Sequence, residues 1–302
     1  MILYVSEGGL GNQIFQYMFL KKLQANELNN EKIIAYGFEE IKEVFDGIDI
    51  ITIQNPFKSI KRIHKLRKLY YNYNDIIYFI RKLLVYLGER KIISYISTKK
   101  IHVGGMKTET PQYEINSGII KRIIFLEPGF FQGEKFFDRS HLKIKLKENL
   151  VKKAQKLLSI CPKNSYKVFV HVRLKDYENY RVFGKSVILP TSYYENLINW
   201  FKNNRENPFF IFISDDPEKV EKTFRHIDQK LISRNNYAID FAIMTLCNAG
   251  ILSPSTFSWW GAFLMQKRDI VFAPRYWLGW KSKIEYPPHI LESEIFTKVD
   301  VT

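Results

Sequence analysis

The sequence predicts an α/β protein of two domains that face a cleft, and three observations carry that expectation. Short β-rich runs at Lys167–Arg173, Phe209–Ile213, Gly250–Leu252 and Ile270–Phe272 alternate with helical patterns at Ser192–Asn203, Pro217–Phe224, Phe241–Cys247 and Phe257–Gln266. Alternation of this kind implies βαβ units on a parallel sheet. The chain also opens with a strand candidate, Ile2–Val5, then a glycine turn and a helix-like stretch, Gln13–Glu27, in which Ile14/Met18 and Phe15/Phe19 stand four apart. Finally, 302 residues fit either one large domain or two of about 150 each, and with 46% hydrophobic residues the chain can bury a full core. The break is expected near Ser159–Asn164, after a charged helix from Lys143 to Leu158, giving domains at 1–160 and 161–302.

Charge and cysteine content narrow the functional classes. The net charge of +15 calls for an anionic partner: nucleic acid, an anionic membrane or a phosphorylated ligand. Between Lys58 and Lys100 twelve Lys/Arg face two acids, Asp75 and Glu89, so +10 of the excess sits in 43 residues interleaved with Tyr and Phe. Basic amphipathic helices are expected there, from about Ser59 to Ser97. Two readings fit them: a surface for anionic lipid, or helices whose apolar faces fill the first core. No nucleic-acid-binding motif accompanies the charge. Cys161 and Cys247 make neither a disulfide framework nor a zinc site of usual spacing, and read as small apolar residues in a reducing compartment. The N-terminus has no basic region followed by an apolar one, and no apolar run reaches ~18 residues, so neither signal peptide nor membrane span is expected. A cytoplasmic protein, at most peripheral at the inner membrane face, is the resulting expectation.

Four segments carry chemistry. In Gly8-Gly9-Leu10-Gly11-Asn12-Gln13 the glycines admit an anion to backbone amides at a helix start, and Asn12 and Gln13 add amide donors. The third glycine of a dinucleotide fingerprint is missing, since Ile14 stands there, and a tight structural turn explains the segment equally. In Val168–Tyr177 an apolar strand runs into His171, Arg173, Lys175 and Asp176. Strand alternation puts His171 and Arg173 on one side, suited to a diphosphate at the carboxyl end of a parallel sheet. A solvated strand end with Arg173 paired to Asp176 is the alternative. A third strand ends in Ser214-Asp215-Asp216, where an acid before Pro217 suits a helix N-cap, a rim of the cleft, or both. Adjacent carboxylates diverge and no Asp-x-Asp occurs in the chain, so no metal is expected. In the fourth, Asp240 is read as capping a helix, and Ser255-Thr256-Phe257 as opening another whose first amides and hydroxyls receive an anion. Trp259 and Trp260 read as core.

Together these segments resemble the bacterial α-1,2-fucosyltransferases, glycosyltransferase family 11. The resemblance rests on GGLGNQIFQY, Gly129–Phe137, His171–Tyr177, Leu189–Tyr194, Ser214–Asp216 and Ser255–Trp260, in the family's order over nearly the whole chain. It implies a GT-B fold of two Rossmann-like domains and inverting, metal-independent fucosyl transfer from GDP-fucose to an oligosaccharide or lipid-linked glycan, with no cofactor. Carried over by position, Gly11, Asn12, Gln13, His171, Arg173, Asp215, Asp216, Ser255, Thr256 and Phe257 would line the donor. Asp240 would receive the guanine N–H groups, and Arg173 would stabilise the departing diphosphate. Asp176 or Glu178 would accept the acceptor's proton. Leu174 stands where the family has a second arginine, which leaves that residue's role open.

Overall fold

The structure, a computed structural model, describes residues 1–28, 31–54, 56 and 67–302. Lys58, Lys61, Arg62 and Lys65 of the basic segment lie outside the described residues. The chain divides into two units: 1–101, 109–131 and 135–144 form the first, and 102–108, 132–134 and 145–302 the second. The break thus falls at 144/145, upstream of the expected 160/161, because the helix Glu148–Leu158 belongs to the second unit.

The first unit carries β1 (Ile2–Val5), α1 (Leu10–Asn26), β2 (Ile33–Tyr36), α2 (Glu39–Val44), β3 (Ile51–Ile53), α3 (Arg67–Glu89), most of β4 (Ile93–Val103) and β5 (Met106–Asn116), whose shared tip 102–108 counts with the second, and β6 (Ile120–Leu126). Its sheet runs β3-β2-β1-β6-β4-β5. The pairs β3–β2, β2–β1, β1–β6 and β6–β4 are parallel. Expected helix from Ser59 to Ser97 is corrected here: α3 ends at Glu89 and the chain re-enters as β4, buried from Ile93 to Ile96. Its Ser-Tyr-Ile-Ser-Thr run is β-branched and aromatic, which the surrounding lysines obscured. Helix α1 starts three residues before the expected Gln13 and packs its aromatic face on the mid-chain Gly129–Phe137 segment. Phe19 stacks on Phe131 at 4.2 Å, and Phe15 meets Phe137 at 6.3 Å.

The second unit carries α4 (Glu148–Leu158), β7 (Tyr166–Val172), α5 (Thr191–Asn204), β8 (Pro208–Ser214), α6 (Pro217–Thr223), β9 (Lys230–Ile232), α7 (Tyr237–Leu246), β10 (Ala249–Ile251), α8 (Thr256–Phe263), β11 (Val271–Pro274) and β12 (Thr297–Val299). Its main sheet has six strands, parallel throughout, in the order β9-β8-β7-β10-β11-β12. Counted along the chain this is 3-2-1-4-5-6, the doubly wound order, with its reversal between β7 and β10. Strands buried on both faces read as continuous apolar runs rather than alternating ones, as in Phe209–Ile213 and Val168–Val170. Trp259 and Trp260 are fully buried, as expected of core residues, and Cys161 and Cys247 are buried free thiols.

Close packing at the reversal requires a glycine. A Cβ on Gly250, in the middle of β10, would come within 2.4 Å of the fully buried Phe169 ring on β7. Gly250→Ala is therefore expected to destabilise the second unit by about 1–3 kcal/mol, the usual range for overpacking. A urea midpoint equal to that of wild type would contradict this packing.

Candidate active site

The two arms of the reversal end side by side. Ile251 pairs with Val170 and Ser214 with Val172, so the residues after β10, β7 and β8 emerge at one edge. There His171 is 2% exposed and its Nδ1 lies 2.6 Å from Ser253 Oγ. Burial, reinforced by the positive charge of Arg173, pushes the imidazole pKa down to about 3. His171 is thus a neutral hydrogen-bonding group, and positive charge at this edge comes from Arg173. Phe257 on α8 lies 5.7 Å from the His171 ring and 5.5 Å from Phe241 on α7, joining the three elements through one aromatic contact.

Arg173 projects beyond β7, held by carboxylates on two sides. Its guanidinium pairs with Asp176, and its Nε lies 3.4 Å from Asp215 Oδ2. Asp215 also accepts from the Leu174 amide at 2.8 Å and the Asp176 amide at 3.1 Å, so this acid fixes the turn that carries Arg173. Asp216 caps α6 by accepting from the Lys219 amide, and lies 3.6 Å from Lys175 Nζ. The two acids therefore engage different partners, one orienting the arginine turn and one ending a helix. Leu174 packs on the hydrophobic cluster under β7 and β8, which explains an apolar residue there.

On the other arm, Ser255 occupies the N-cap position of α8, but its side chain makes no capping bond. Its own amide donates to Ser253 O at 2.7 Å. Helix geometry leaves the next three amides, of Thr256, Phe257 and Ser258, without intrahelical partners. Two tyrosines brace this loop: Tyr177 donates to Pro254 O, and the buried Tyr193 donates to Leu252 O at 3.1 Å. Sequence reasoning placed Tyr177 and Tyr193 in family-like segments without giving them a role, and gave none to Ser253. The signal for Ser253 lay in strand register, which needs the pairing of β10 with β7.

Asp240 does not cap α7. Asn236 does, accepting from the Ile239 amide at 3.1 Å, and the helix begins at Tyr237, one turn earlier than expected. Asp240 is 7% exposed, in the first turn, and accepts from Ser233 Oγ. Burial raises its pKa to about 7, with the Ser233 bond opposing the rise. Among the described residues no group of three or more His, Cys, Asp or Glu is gathered as for a metal ion.

In the first unit the glycine turn is filled from within. The Leu10 amide, first of α1, donates to Glu40 Oε2 at 2.6 Å, so a carboxylate from α2 already sits at the helix start. Gln13 is 3% exposed and uses both ends of its amide, donating to Gly8 O and accepting from the Ile41 amide at 3.0 Å. Gly8 has φ +80°, and a Cβ there would come within 2.2 Å of Asn12 Nδ2. Gly11 is buried in the first turn of α1. The Leu10 amide and both ends of the Gln13 side chain are thus engaged within the unit, which fits the tight-turn reading of the segment.

Residues 1–282 match Glycosyl transferase family 11. The chain belongs to that family. It is 25% identical over 297 residues to the O-antigen biosynthesis glycosyltransferase WbnK of Escherichia coli, covering 91% of this chain and 94% of that protein. It is 28% identical to an alpha-1,2-colitosyltransferase of E. coli, covering 89% of this chain and 90% of the relative. Among solved structures it is similar to POFUT1 in complex with GDP, with a TM-score of 0.51 and 11% identity over 89% of this chain and 96% of that one. The fold is accordingly of the GT-B type, and the enzyme is a glycosyltransferase of family 11.

The titration of Asp240 has a consequence for this family 11 chain. An acid whose folded pKa stands above its unfolded value near 3.9 keeps its proton in the folded state after the unfolded chain has lost it. Its burial thus weakens the fold progressively as pH rises from about 4 to about 7, and by a constant amount above. Asp240→Asn preserves an oxygen for Ser233 and removes that charge. Its urea midpoint is expected to gain on wild type between pH 4.5 and pH 8. A difference independent of pH would place the acid in water.

Proposed function

We propose that this enzyme transfers fucose from GDP-fucose, with inversion and without a divalent metal, to O2 of a galactose-type residue in surface glycan assembly. One observation carries the reading: the Arg173 fork and the uncapped start of α8 converge on the reversal point of a 3-2-1-4-5-6 sheet. A guanidinium matches two phosphate oxygens, and helix-start amides favour an anion. Asp240 stands on the neighbouring α7 as the acceptor for guanine N–H groups. Three relatives support the glycan side: the O-antigen enzyme, the α-1,2 enzyme, and a bovine galactoside 2-alpha-L-fucosyltransferase that is 28% identical over 32% of this chain.

In this reading the acceptor hydroxyl oxygen attacks the anomeric carbon as the bond to the β-phosphate oxygen breaks, and GDP leaves with both bonding electrons. Arg173 and the Thr256–Ser258 amides take up the charge gained by the phosphate. Removing one such fixed donor costs about 10²–10³-fold in rate. When Arg173 turns to the diphosphate, Asp176 loses its ion-pair partner and is released to accept the hydroxyl proton. Asp215, holding the turn through two amides, keeps the arginine in reach. His171, neutral and bound to Ser253, positions the two arms without adding charge. A second reading has one specific support: the relative named a colitosyltransferase makes a fucose-like deoxy sugar the alternative donor.

Purified enzyme incubated with GDP-fucose and galactose-terminated glycans should give a product one fucosyl unit heavier by mass spectrometry, at the same rate in excess EDTA. Arg173→Lys, which keeps the charge and loses the fork, should lower kcat by about 10²-fold or more with the fold intact. Turnover within threefold of wild type would remove Arg173 from the reaction. Dependence on added Mn²⁺ or Mg²⁺ would overturn metal independence.

A further inference from the structure

Helix α3 is amphipathic, but its second face is not polar. Toward the first sheet it offers Leu84 and Val85, which pack with Tyr95 and Phe125, and Arg81, which pairs with Glu7. Away from the sheet run Ile76, Phe79, Leu83 and Tyr86, spaced by three, four and three residues and so aligned on one stripe. They are 56%, 67%, 44% and 52% exposed. Single exposed apolar residues need no explanation, whereas a contiguous stripe of large ones marks an interaction surface.

Cations outnumber acids around that stripe, where Asp75 and Glu89 are also exposed. Lys82 Nζ lies 4.6 Å from the ring centre of Tyr78, itself 53% exposed, and the Arg90 guanidinium lies 5.4 Å from that of Tyr86. A further exposed apolar residue lies just past the helix end. The Ile119 amide donates to Lys91 O at 2.9 Å, which sets Ile119, 85% exposed, beside the last turn. Lys121 and Arg122 follow it on the surface.

We propose that this face of α3, with the Ile119 turn, docks the enzyme on an anionic lipid bilayer, the aromatic and aliphatic side chains entering the headgroup layer and the basic side chains meeting lipid phosphates. Charge selects this occupant. A second copy would bring another +15 chain against the same basic face, whereas an anionic surface attracts it. Tyrosine and phenylalanine between cations are suited to the interface, and among the described residues no helix is long and apolar enough to cross a membrane. The inference stands independently of the donor assignment, because it uses residues of the first unit only, whereas the donor assignment uses residues of the second.

The test is co-sedimentation with phosphatidylglycerol and with phosphatidylcholine vesicles at low and high salt, on wild type, Phe79→Ser/Leu83→Ser and Lys82→Glu/Arg90→Glu. Wild type should pellet with phosphatidylglycerol and be released by salt, since exposed charges are screened over about 10 Å at 0.1 M. Each double variant should bind at least about tenfold more weakly, with circular dichroism and turnover of a soluble acceptor unchanged. Equal binding to both lipids, or none to either, would overturn the proposal. So would a wild-type dimer in solution that Phe79→Ser/Leu83→Ser dissociates, which would make the stripe a contact between copies.

Discussion

The 2.6 Å contact between His171 Nδ1 and Ser253 Oγ ties together the two strand ends on which the candidate site is built. At this point the sheet changes direction: β8 and β9 extend to one side of β7, and β10 to β12 to the other. Side chains leaving the two central strands have no intervening helix to cover them, so a crevice forms where chain connectivity diverges. A charged imidazole could not be buried here beside Arg173 without a large cost. The neutral ring instead bonds a hydroxyl and leaves the guanidinium as the nearby source of positive charge. Everything else at this edge holds those two strand ends in place. Asp215 fixes the turn after β7, and Tyr177 and Tyr193 fix the loop after β10.

The two glycine- or serine-marked helix starts look alike in sequence and differ in structure. Both follow a short parallel strand, and both present backbone amides at a helix N-terminus. At α1 the first amide is taken by Glu40, and Gln13 is locked between Gly8 and Ile41. At α8 the residue in the cap position leaves the cap bond unmade. The difference comes from Glu40 and Ile41 on α2, thirty and 28 residues away in the chain from their partners on α1, which local reading does not reach. An internal carboxylate at α1 also gives that turn a folding role that no external ligand is needed to explain.

How much could be read beforehand follows from the same distinction. The strands of the second unit were legible because a fully buried parallel strand is a plain apolar run with polar residues at its end. His171, Arg173 and Ser255 were legible as the polar residues following such runs. The strand β4 was not, because Lys99, Lys100 and the basic helix before it hid a short buried segment in a charged stretch. The boundary between units was missed for a tertiary reason: α4 joins the second unit although it precedes that unit's first strand. Asp240 was noticed as an acid at a helix start, yet its burial and raised pKa depend on Ser233 and on the packing around α7.

Hydrogen–deuterium exchange with and without GDP tests most directly where the anion binds. Protection is expected at the start of α8, in Thr256–Ser258, and in the turn 173–176. The helix start at Leu10–Asn12, whose first amide already donates to Glu40, should exchange equally in both states. Protection confined to residues 8–13, with 173–176 and 256–258 unchanged, would contradict the placement of the diphosphate at the reversal of the second sheet.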